Sequence, residues 1–178
     1  MKKWLIGILF SFVIIFIVVF LYYGLYNNSR ELATFVECID GDTAWFMVHG
    51  KKEKVRFLGI DAPEVAHEDS DAEYYGDESK EMTCTLLNEA TNISLEYDSK
   101  SDLYDKYHRL LAWVFIDDKL LNEMLVADGY ASVRYIYQEY RYVDRLCDVQ
   151  EKAYQQRVGI WSYDSKGYLN NYCNKRSS

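Results

Sequence analysis

The chain has 178 residues and a formal net charge of −8, and 49% of its residues are apolar. This length accommodates one compact domain with additional segments. Residues 1–30 contain three basic residues and no acidic residue, so residues 31–178 carry a formal charge of −11. This charge disfavours broad electrostatic attraction to a polyanion, and any contact with nucleic acid must depend on a local positive site.

The N-terminal part is dominated by an almost wholly apolar run from Trp4 to Tyr26. As a helix this run would be about 35 Å long, enough to cross a hydrocarbon core of about 30 Å. We therefore expect one transmembrane helix that acts as an uncleaved signal anchor. Because Lys2 and Lys3 precede the run, we expect the domain to face outward from the cell membrane. A cleaved signal peptide and a secreted domain are the alternative, which the lack of a small-residue cleavage site disfavours.

Composition divides the chain into three segments. We expect a membrane anchor and short linker at residues 1–30, one folded domain at residues 31–163, and a polar tail at residues 164–178.

The first half of the domain has the pattern of three strands. They are predicted at residues 33–39, 43–49 and 53–60. The second strand is apolar on both faces, which indicates a central or curled strand. Tight turns at Asp40-Gly41 and at residues 49–52 join the three strands.

The second half alternates helices and strands after an acidic loop at residues 65–74. A helix is predicted at residues 75–90, strands at 93–97 and 109–116, a short helix ending at Gly129, and a helix over about 140–157 ending at Gly159. Five short strands with about three helices predict an α+β fold. We expect a curled five-stranded barrel of the oligonucleotide/oligosaccharide-binding (OB-fold) type.

The domain contains four cysteines, which are Cys38, Cys84, Cys147 and Cys173. In an outward-facing domain they could form two disulfides, and three pairings remain open. Their spacing does not indicate zinc. The strand pattern around Cys38 favours a small buried apolar residue at that position.

Charged side chains lie at the ends of two predicted strands. Asp42 and Asp61 end strands, Arg56 precedes Asp61, and Glu64 follows it behind Pro63. Carboxylates suit a hard divalent cation, and a guanidinium suits an anionic substrate. A simple turn role is the alternative for Asp42, which the nearby acids and arginine make less favourable. Together with the later segment Asp105–Arg109, the pattern indicates a phosphodiesterase site.

Seven segments, in this order, are similar to the staphylococcal nuclease (thermonuclease) family. They are I-D-G-D-T (39–43), R-F-L-G-I-D-A-P-E (56–64), Tyr75-Gly76, D-K-Y-H-R (105–109), N-E-M-L-V-A-D-G-Y-A (122–131), Tyr135-Ile-Tyr137 and I-W-S (160–162). The resemblance covers about residues 34–162, which is nearly the whole predicted domain.

The resemblance implies a calcium-dependent nuclease that hydrolyses DNA and RNA and leaves 3′-phosphates. Its implied calcium ligands are Asp42, Asp61 and the backbone carbonyl of Ala62. Glu64 corresponds to the proposed general base, and Arg56 and Arg109 correspond to the phosphate-binding arginines.

The resemblance also implies the substrate contacts. Lys106 and Tyr107 match positions that hold the terminal phosphate of the nucleotide, and Tyr135 and Tyr137 match aromatic residues beside the base. We expect single-stranded or loosened nucleic acid as the substrate and a monomeric protein.

Two features depart from the family pattern. His108 stands where the best-known members have glycine, and the acidic segment 68–73 occupies a loop that is basic in the best-known member. The alternative function is a non-catalytic module of the same fold that binds nucleic acid or another polyanion outside the cell. Such modules usually lose the metal-binding acids and phosphate arginines, whereas this chain keeps them.

Overall fold

A computed structural model describes residues 13–19, 30–66, 71–163 and 171–174. The chain divides into two units, Met1–Glu31 and Leu32–Ser178. In the first unit, residues 13–19 are helical. They belong to the run predicted to cross a membrane, and the rest of that run lies outside the described residues. Within the described ranges, no helix is both long and apolar enough to span a membrane.

The second unit contains a closed five-stranded barrel. The strands among the described residues are β1 (Arg30–Cys38), β2 (Thr43–Val48), β3 (Lys51–Phe57), β4 (Ile60–Asp61), β5 (Ile93–Glu96), β6 (Leu110–Ile116), β7 (Lys119–Leu120) and β8 (Ser132–Val133). The main sheet has the order β3-β2-β1-β5-β6-β7, and a parallel pairing of β3 with β6 closes the barrel. The predicted α+β fold with an OB-type barrel is therefore confirmed.

Helices alternate with strands in the second half of the unit. They are α1 (Gly76–Glu89), α2 (Leu121–Ala127), α3 (Val143–Gln156), a 3-10 helix (Gly159–Ser162) and α4 (Asn171–Asn174). The first three α-helices match the predicted ones in order and approximate position. The last, α4, lies in the segment that we predicted to be a polar tail.

The barrel interior is apolar because alternate residues of each strand point inward. In β2, Ala44, Phe46 and Val48 are buried, whereas Trp45 is only half-buried. The ammonium groups of Lys52 and Lys54 lie 4.7 and 5.3 Å from the centre of the Trp45 ring. Cation–π contacts thus partly cover the outer aromatic side chain, which explains why β2 is apolar on both faces.

The third strand carries Arg56 and ends earlier in the chain than predicted. β3 stops at Phe57, and a turn at residues 58–59 separates it from β4. Gly59 has a φ of 74°, a left-handed conformation that glycine adopts without strain. The turn allows β4 to leave the barrel and pair with β8, so that Asp61 lies opposite Ser132.

The cysteines form two disulfides, Cys38–Cys84 and Cys147–Cys173. The first joins the end of β1 to α1, and the second joins α3 to α4. Our interpretation of Cys38 as a small buried apolar residue was therefore wrong. Its alternating strand pattern could not reveal that its partner lies on a helix 46 residues later.

Candidate functional site

All the side chains predicted for the site lie in one region of the second unit. A cleft of about 670 Å³ is lined by eight of them, which are Arg56, Asp61, Glu64, Lys106, Tyr107, Arg109, Tyr135 and Tyr137. The remaining two predicted residues, Asp42 and Ala62, are buried, with exposed fractions of 4% and 6%. Asp42 contacts Arg56 directly, so it lies behind the wall of the cleft.

The buried part of the site is organised around Arg56. Its Nη2 atom lies 3.0 Å from Oδ1 of Asp61 and 3.1 Å from Oδ2 of Asp42. Its Nη1 atom donates hydrogen bonds to the backbone carbonyls of Phe57, at 3.0 Å, and Ile60, at 2.7 Å. These carbonyls flank the turn that ends β3. The break in the strand therefore supplies two of the acceptors that fix the guanidinium.

Asp42 is held by three short contacts at the start of β2. Its Oδ2 atom accepts a hydrogen bond of 2.7 Å from the backbone N–H of Ala62, and its Oδ1 atom accepts one of 2.9 Å from the Thr43 hydroxyl. The backbone N–H of Asp42 donates to Oδ1 of Asp40 at 2.9 Å, which supports the predicted turn role of Asp40. Burial raises the pKa of Asp42 to about 8, although the charge of Arg56 opposes this shift.

Asp61 lies between two arginines on the cleft side. Its Oδ1 atom accepts from Arg56, and its Oδ2 atom lies 3.8 Å from Nη1 of Arg134. Burial raises the pKa of Asp61, and both arginines oppose the shift. The predicted set does not contain Arg134. The feature of the sequence that could have indicated Arg134 is its position directly before Tyr135, one of the predicted site residues.

Glu64 is exposed on the loop after β4. Its backbone N–H donates to a carboxylate oxygen of Glu73 at 3.1 Å, and its carbonyl accepts from the backbone N–H of Glu73 at 2.9 Å. Partial burial is the largest effect that raises the pKa of Glu64, and repulsion from Asp40 and Asp61 raises it further. Glu73, the last residue of the acidic segment 68–73, therefore supports the backbone of Glu64.

A tight loop positions Arg109. Asp105 accepts hydrogen bonds from the backbone N–H groups of Tyr107 and Arg109, both at 2.9 Å, and from Nε of Arg109 at 2.7 Å. His108 has a φ of 58°, which explains why glycine suits this position in the family. Burial opposes ionisation of Asp105, but the hydrogen bonds from Arg109 outweigh it and lower its pKa.

Exposed aromatic rings surround the charged groups. The guanidinium carbons of Arg56 and Arg109 lie 5.6 and 5.5 Å from the rings of Tyr135 and Tyr107, respectively. Nζ of Lys106 is 4.8 Å from the Tyr107 ring, which is 67% exposed. Two further tyrosines, Tyr104 and Tyr140, also line the cleft. The sequence did not indicate these two residues, because the chain has 17 tyrosines and their identity alone does not show which of them line a cleft.

The carboxylate oxygens of Asp42 and Asp61 are donor atoms of the kind that a hard cation prefers. Asp42 and Asp61 direct carboxylate oxygens to one point, the Nη2 atom of Arg56. Among the described residues, no group of three or more His, Cys, Asp or Glu side chains is arranged to hold a metal ion. The predicted ligand set contains only two carboxylates, and its third member is a backbone carbonyl. A cation bound by this set would take over part of the charge compensation that Arg56 provides here.

Comparison with known proteins gives a consistent result. A family model described as staphylococcal nuclease homologue matches residues 54–163, a range that includes every predicted site residue except Asp42. Endonuclease YncB of Bacillus subtilis (strain 168) is 37% identical over 148 residues, which are 82% of this chain and 68% of that protein. Thermonuclease of Staphylococcus hyicus is 31% identical over 139 residues, which are 78% of this chain and 80% of that protein. The SPbeta prophage-derived endonuclease YokF of Bacillus subtilis is 35% identical over 137 residues, 76% of this chain and 45% of that protein.

Proposed function

The chain belongs to the staphylococcal nuclease family, and from this premise we propose that it is a calcium-dependent nuclease acting on DNA and RNA. The observation that carries the proposal is the cleft in which carboxylates, guanidinium groups and exposed tyrosines converge. Carboxylates suit a divalent cation, guanidinium groups suit phosphate, and aromatic rings suit nucleic-acid bases. The expected reaction is hydrolysis of phosphodiester bonds to products with 3′-phosphates.

Asp42, Asp61 and the carbonyl of Ala62 would hold the calcium ion. Calcium would supply positive charge that polarises the attacking water and neutralises the phosphate. The hydrogen bond between the Ala62 N–H and Asp42 keeps these two ligand residues together. The bonds from Arg56 keep the carboxylates of Asp42 and Asp61 directed to the same point.

Glu64 would accept the proton of the attacking water. The water oxygen forms a bond to phosphorus while the bond from phosphorus to the 5′ oxygen breaks. That oxygen leaves as a hydroxyl group after taking up a proton, and the phosphate remains on the 3′ oxygen. Partial burial raises the pKa of Glu64, which makes this carboxylate a stronger base for the transfer.

Arg56 and Arg109 would stabilise the charge that grows on the phosphate oxygens during attack. Asp105 acts on Arg109 as a positioning residue, because it accepts from both the backbone N–H and Nε of that arginine. Lys106 and Tyr107, on the same loop, would hold the terminal phosphate of the substrate.

The aromatic residues favour single-stranded or loosened nucleic acid as the substrate. Tyr135 and Tyr137 are 52% and 74% exposed, so their rings are available to stack on unpaired bases. Stacking does not depend on a broad basic surface, which residues 31–178 lack with their charge of −11.

We also propose that residues 4–26 anchor the protein in the cell membrane, with the nuclease domain on the outer side. The length and apolarity of this run support the proposal. The full-length protein should then remain with membranes after washing with high salt and carbonate, and external protease should digest the domain in intact cells. Recovery of only a soluble form that begins after Ala33 would instead indicate a cleaved signal peptide.

The main test is degradation of labelled single-stranded DNA and RNA by the full-length protein, with calcium or with a chelator. We expect hydrolysis only with calcium, and fragments that end in 3′-phosphates. Binding of the same oligonucleotides without hydrolysis under both conditions would contradict the proposal and support a non-catalytic binding module.

A further inference from the structure

We propose that the outer face of β2 and β3, formed by Trp45, Lys52 and Lys54, binds phosphates of the nucleic-acid strand outside the cleft. This inference rests on the proposed function, because it adds a contact for the same substrate. The three residues do not line the cleft, and they lie outside the seven segments that resemble the nuclease family.

The strand pairing places this face next to the cleft. Trp45 of β2 is paired with Lys54 of β3 in the antiparallel ladder. Val55 is buried in the barrel, and side chains alternate between the two faces of a strand, so its neighbours Lys54 and Arg56 project from the outer face. Lys52 follows the same alternation. Lys54 precedes the cleft residue Arg56 by two positions, which is about 7 Å along a strand.

The ring of Trp45 holds two ammonium groups close together. Nζ of Lys52 lies 4.7 Å and Nζ of Lys54 lies 5.3 Å from the centre of this ring. The two nitrogens can therefore be no further apart than the sum of these distances. The negative face of the indole ring offsets part of the repulsion between them. A phosphate oxygen near both ammonium groups would offset more of it.

The protein itself neutralises this face only in part. Within the described ranges, Lys54 forms no ion pair with a carboxylate. Lys52 pairs with Glu37 at 2.9 Å, and the two side chains are 46% and 58% exposed. An exposed pair of this kind contributes little, so a phosphate can replace the carboxylate of Glu37. Two lysines and one glutamate leave the face with a formal charge of +1, whereas residues 31–178 carry −11.

Continuity with the cleft identifies a nucleic-acid strand as the partner. Phosphates follow one another at about 3.4 Å along the axis of a stacked strand. When one phosphate lies at Arg56, the phosphate about two nucleotides further along can therefore reach Lys54. A single nucleotide in the cleft would not use this face. The inference thus specifies a substrate that extends over the β2–β3 hairpin.

The experiment compares full-length wild type with Lys54→Gln, Lys54→Arg and the control Lys51→Gln. Lys51 lies on the same hairpin but forms an ion pair with Glu53, so the control removes a nearby positive charge from the other face of β3. Two single-stranded DNA substrates are used in calcium, one long enough to pass from the cleft over the hairpin and one with a single phosphodiester linkage. We measure kcat/KM for both, and equilibrium binding of a phosphorothioate-linked form of the longer strand over a salt series.

For Lys54→Gln we expect the Kd of the longer strand to rise about fivefold, the upper range for one exposed ion pair. The slope of log K against log salt should become shallower by about 0.7, the value for one phosphate contact on a single strand. Lys54→Arg keeps the charge and should keep the slope. On the single-linkage substrate all variants should match wild type in kcat/KM, because that substrate has no phosphate beyond the one at Arg56.

Equal salt slopes for Lys54→Gln and Lys51→Gln on the longer strand would overturn the inference, since the charge would then act only at a distance. Reduced kcat/KM of Lys54→Gln on the single-linkage substrate would also overturn it, because the effect would then lie in the cleft or the fold. An unchanged slope with loss of self-association in Lys54→Gln would assign the face to a second copy of the chain instead.

The experiment also separates this inference from the proposed nuclease function. If wild type hydrolysed neither substrate, the proposed function would fail. The salt slopes for the phosphorothioate-linked strand would still decide whether Lys54 contacts a phosphate, because that measurement requires binding and not hydrolysis.

Discussion

The backbone of Gly76 lies against the carbonyl group of Glu64. A Cβ atom at Gly76 would come within 2.3 Å of the Glu64 oxygen, which no real side chain can do without displacing the backbone. The same Glu64 oxygen accepts from the N–H of Glu73, and the carbonyl of Glu73 accepts from the N–H of Gly76. The first turn of α1 therefore supports the loop that carries Glu64, the proposed general base.

Substitution Gly76→Ala should therefore reduce hydrolysis at least about tenfold, because moving Glu64 by a fraction of an ångström disturbs proton transfer. It should also lower the free energy of unfolding by about 2 kcal/mol. Rates with oligonucleotide and urea unfolding curves measure the two effects.

Gly50→Ala is the matched control for this substitution. Gly50 has a φ of 79°, and a Cβ atom added there would have no other atom within 4 Å, so the substitution adds only backbone strain. The control should lose about 1 kcal/mol of stability and no activity. Equal rates for Gly76→Ala and Gly50→Ala would contradict the role of Gly76 in supporting Glu64.

The carboxylates of Asp42 and Asp61 provide the second prediction. Asp42→Asn and Asp61→Asn should each abolish calcium-dependent hydrolysis while the protein remains folded, since an amide is a poorer ligand for a hard cation. Hydrolysis over a calcium series and circular dichroism measure these outcomes. Asp40→Asn removes the same charge from the neighbouring turn and should retain activity. Wild-type rates for either ligand variant at limiting calcium would rule out the proposed metal role.

The third prediction concerns pH and the Asp105–Arg109 loop. Burial opposes ionisation of Asp105, but hydrogen bonds from Arg109 lower its pKa in the folded state. A lowered folded pKa contributes stability that is present above the unfolded value of about 3.9 and is lost as the pH falls through the folded value. Asp105→Asn should therefore cost about 1 kcal/mol at neutral pH and less below about pH 3.

Urea unfolding of wild type and Asp105→Asn at several pH values tests this prediction. Asp148→Asn, at an exposed position of α3, controls for the loss of one acidic charge. A difference between wild type and Asp105→Asn that stays constant from neutral pH to the acid range would show that the ionised carboxylate is not the source of the stability.

The fourth prediction separates the two disulfides. Their partners are 46 and 26 residues apart, and loop-closure entropy gives a stabilisation of about 3 to 4 kcal/mol for each. Replacing Cys147 and Cys173 by alanine should lower stability by about this amount and leave the rate of the folded protein unchanged, because neither residue lines the cleft.

Removal of Cys38–Cys84 should reduce both stability and activity. This disulfide ends on α1 next to Thr83, whose hydroxyl donates at 2.7 Å to the carbonyl of Gly41, the residue before Asp42. Loosening α1 should therefore disturb the carboxylate of Asp42. Hydrolysis and thermal unfolding of the two double variants measure the contrast, and equal activity in both would contradict it.

Local sequence was sufficient for most of the architecture. The apolar runs of β2 and β6 and the helical patterns of α1 and α3 are short-range features, so their positions were predicted to within a few residues. The family segments likewise located the proposed site residues, which line the cleft or are buried against it. The apolar run at residues 4–26, on which the proposed membrane anchor rests, is also a property of composition alone.

Tertiary structure decided the contacts between side chains that are distant in the chain. The pairing of β4 with β8 brings Arg134 to Asp61, and the start of α1 brings Glu73 to Glu64. The same holds for the two disulfide pairings, which the sequence left open. Periodicity reports only which face of an element is apolar, whereas these contacts depend on how two elements are placed in space, because hydrogen bonds and ion pairs form only over a few ångströms.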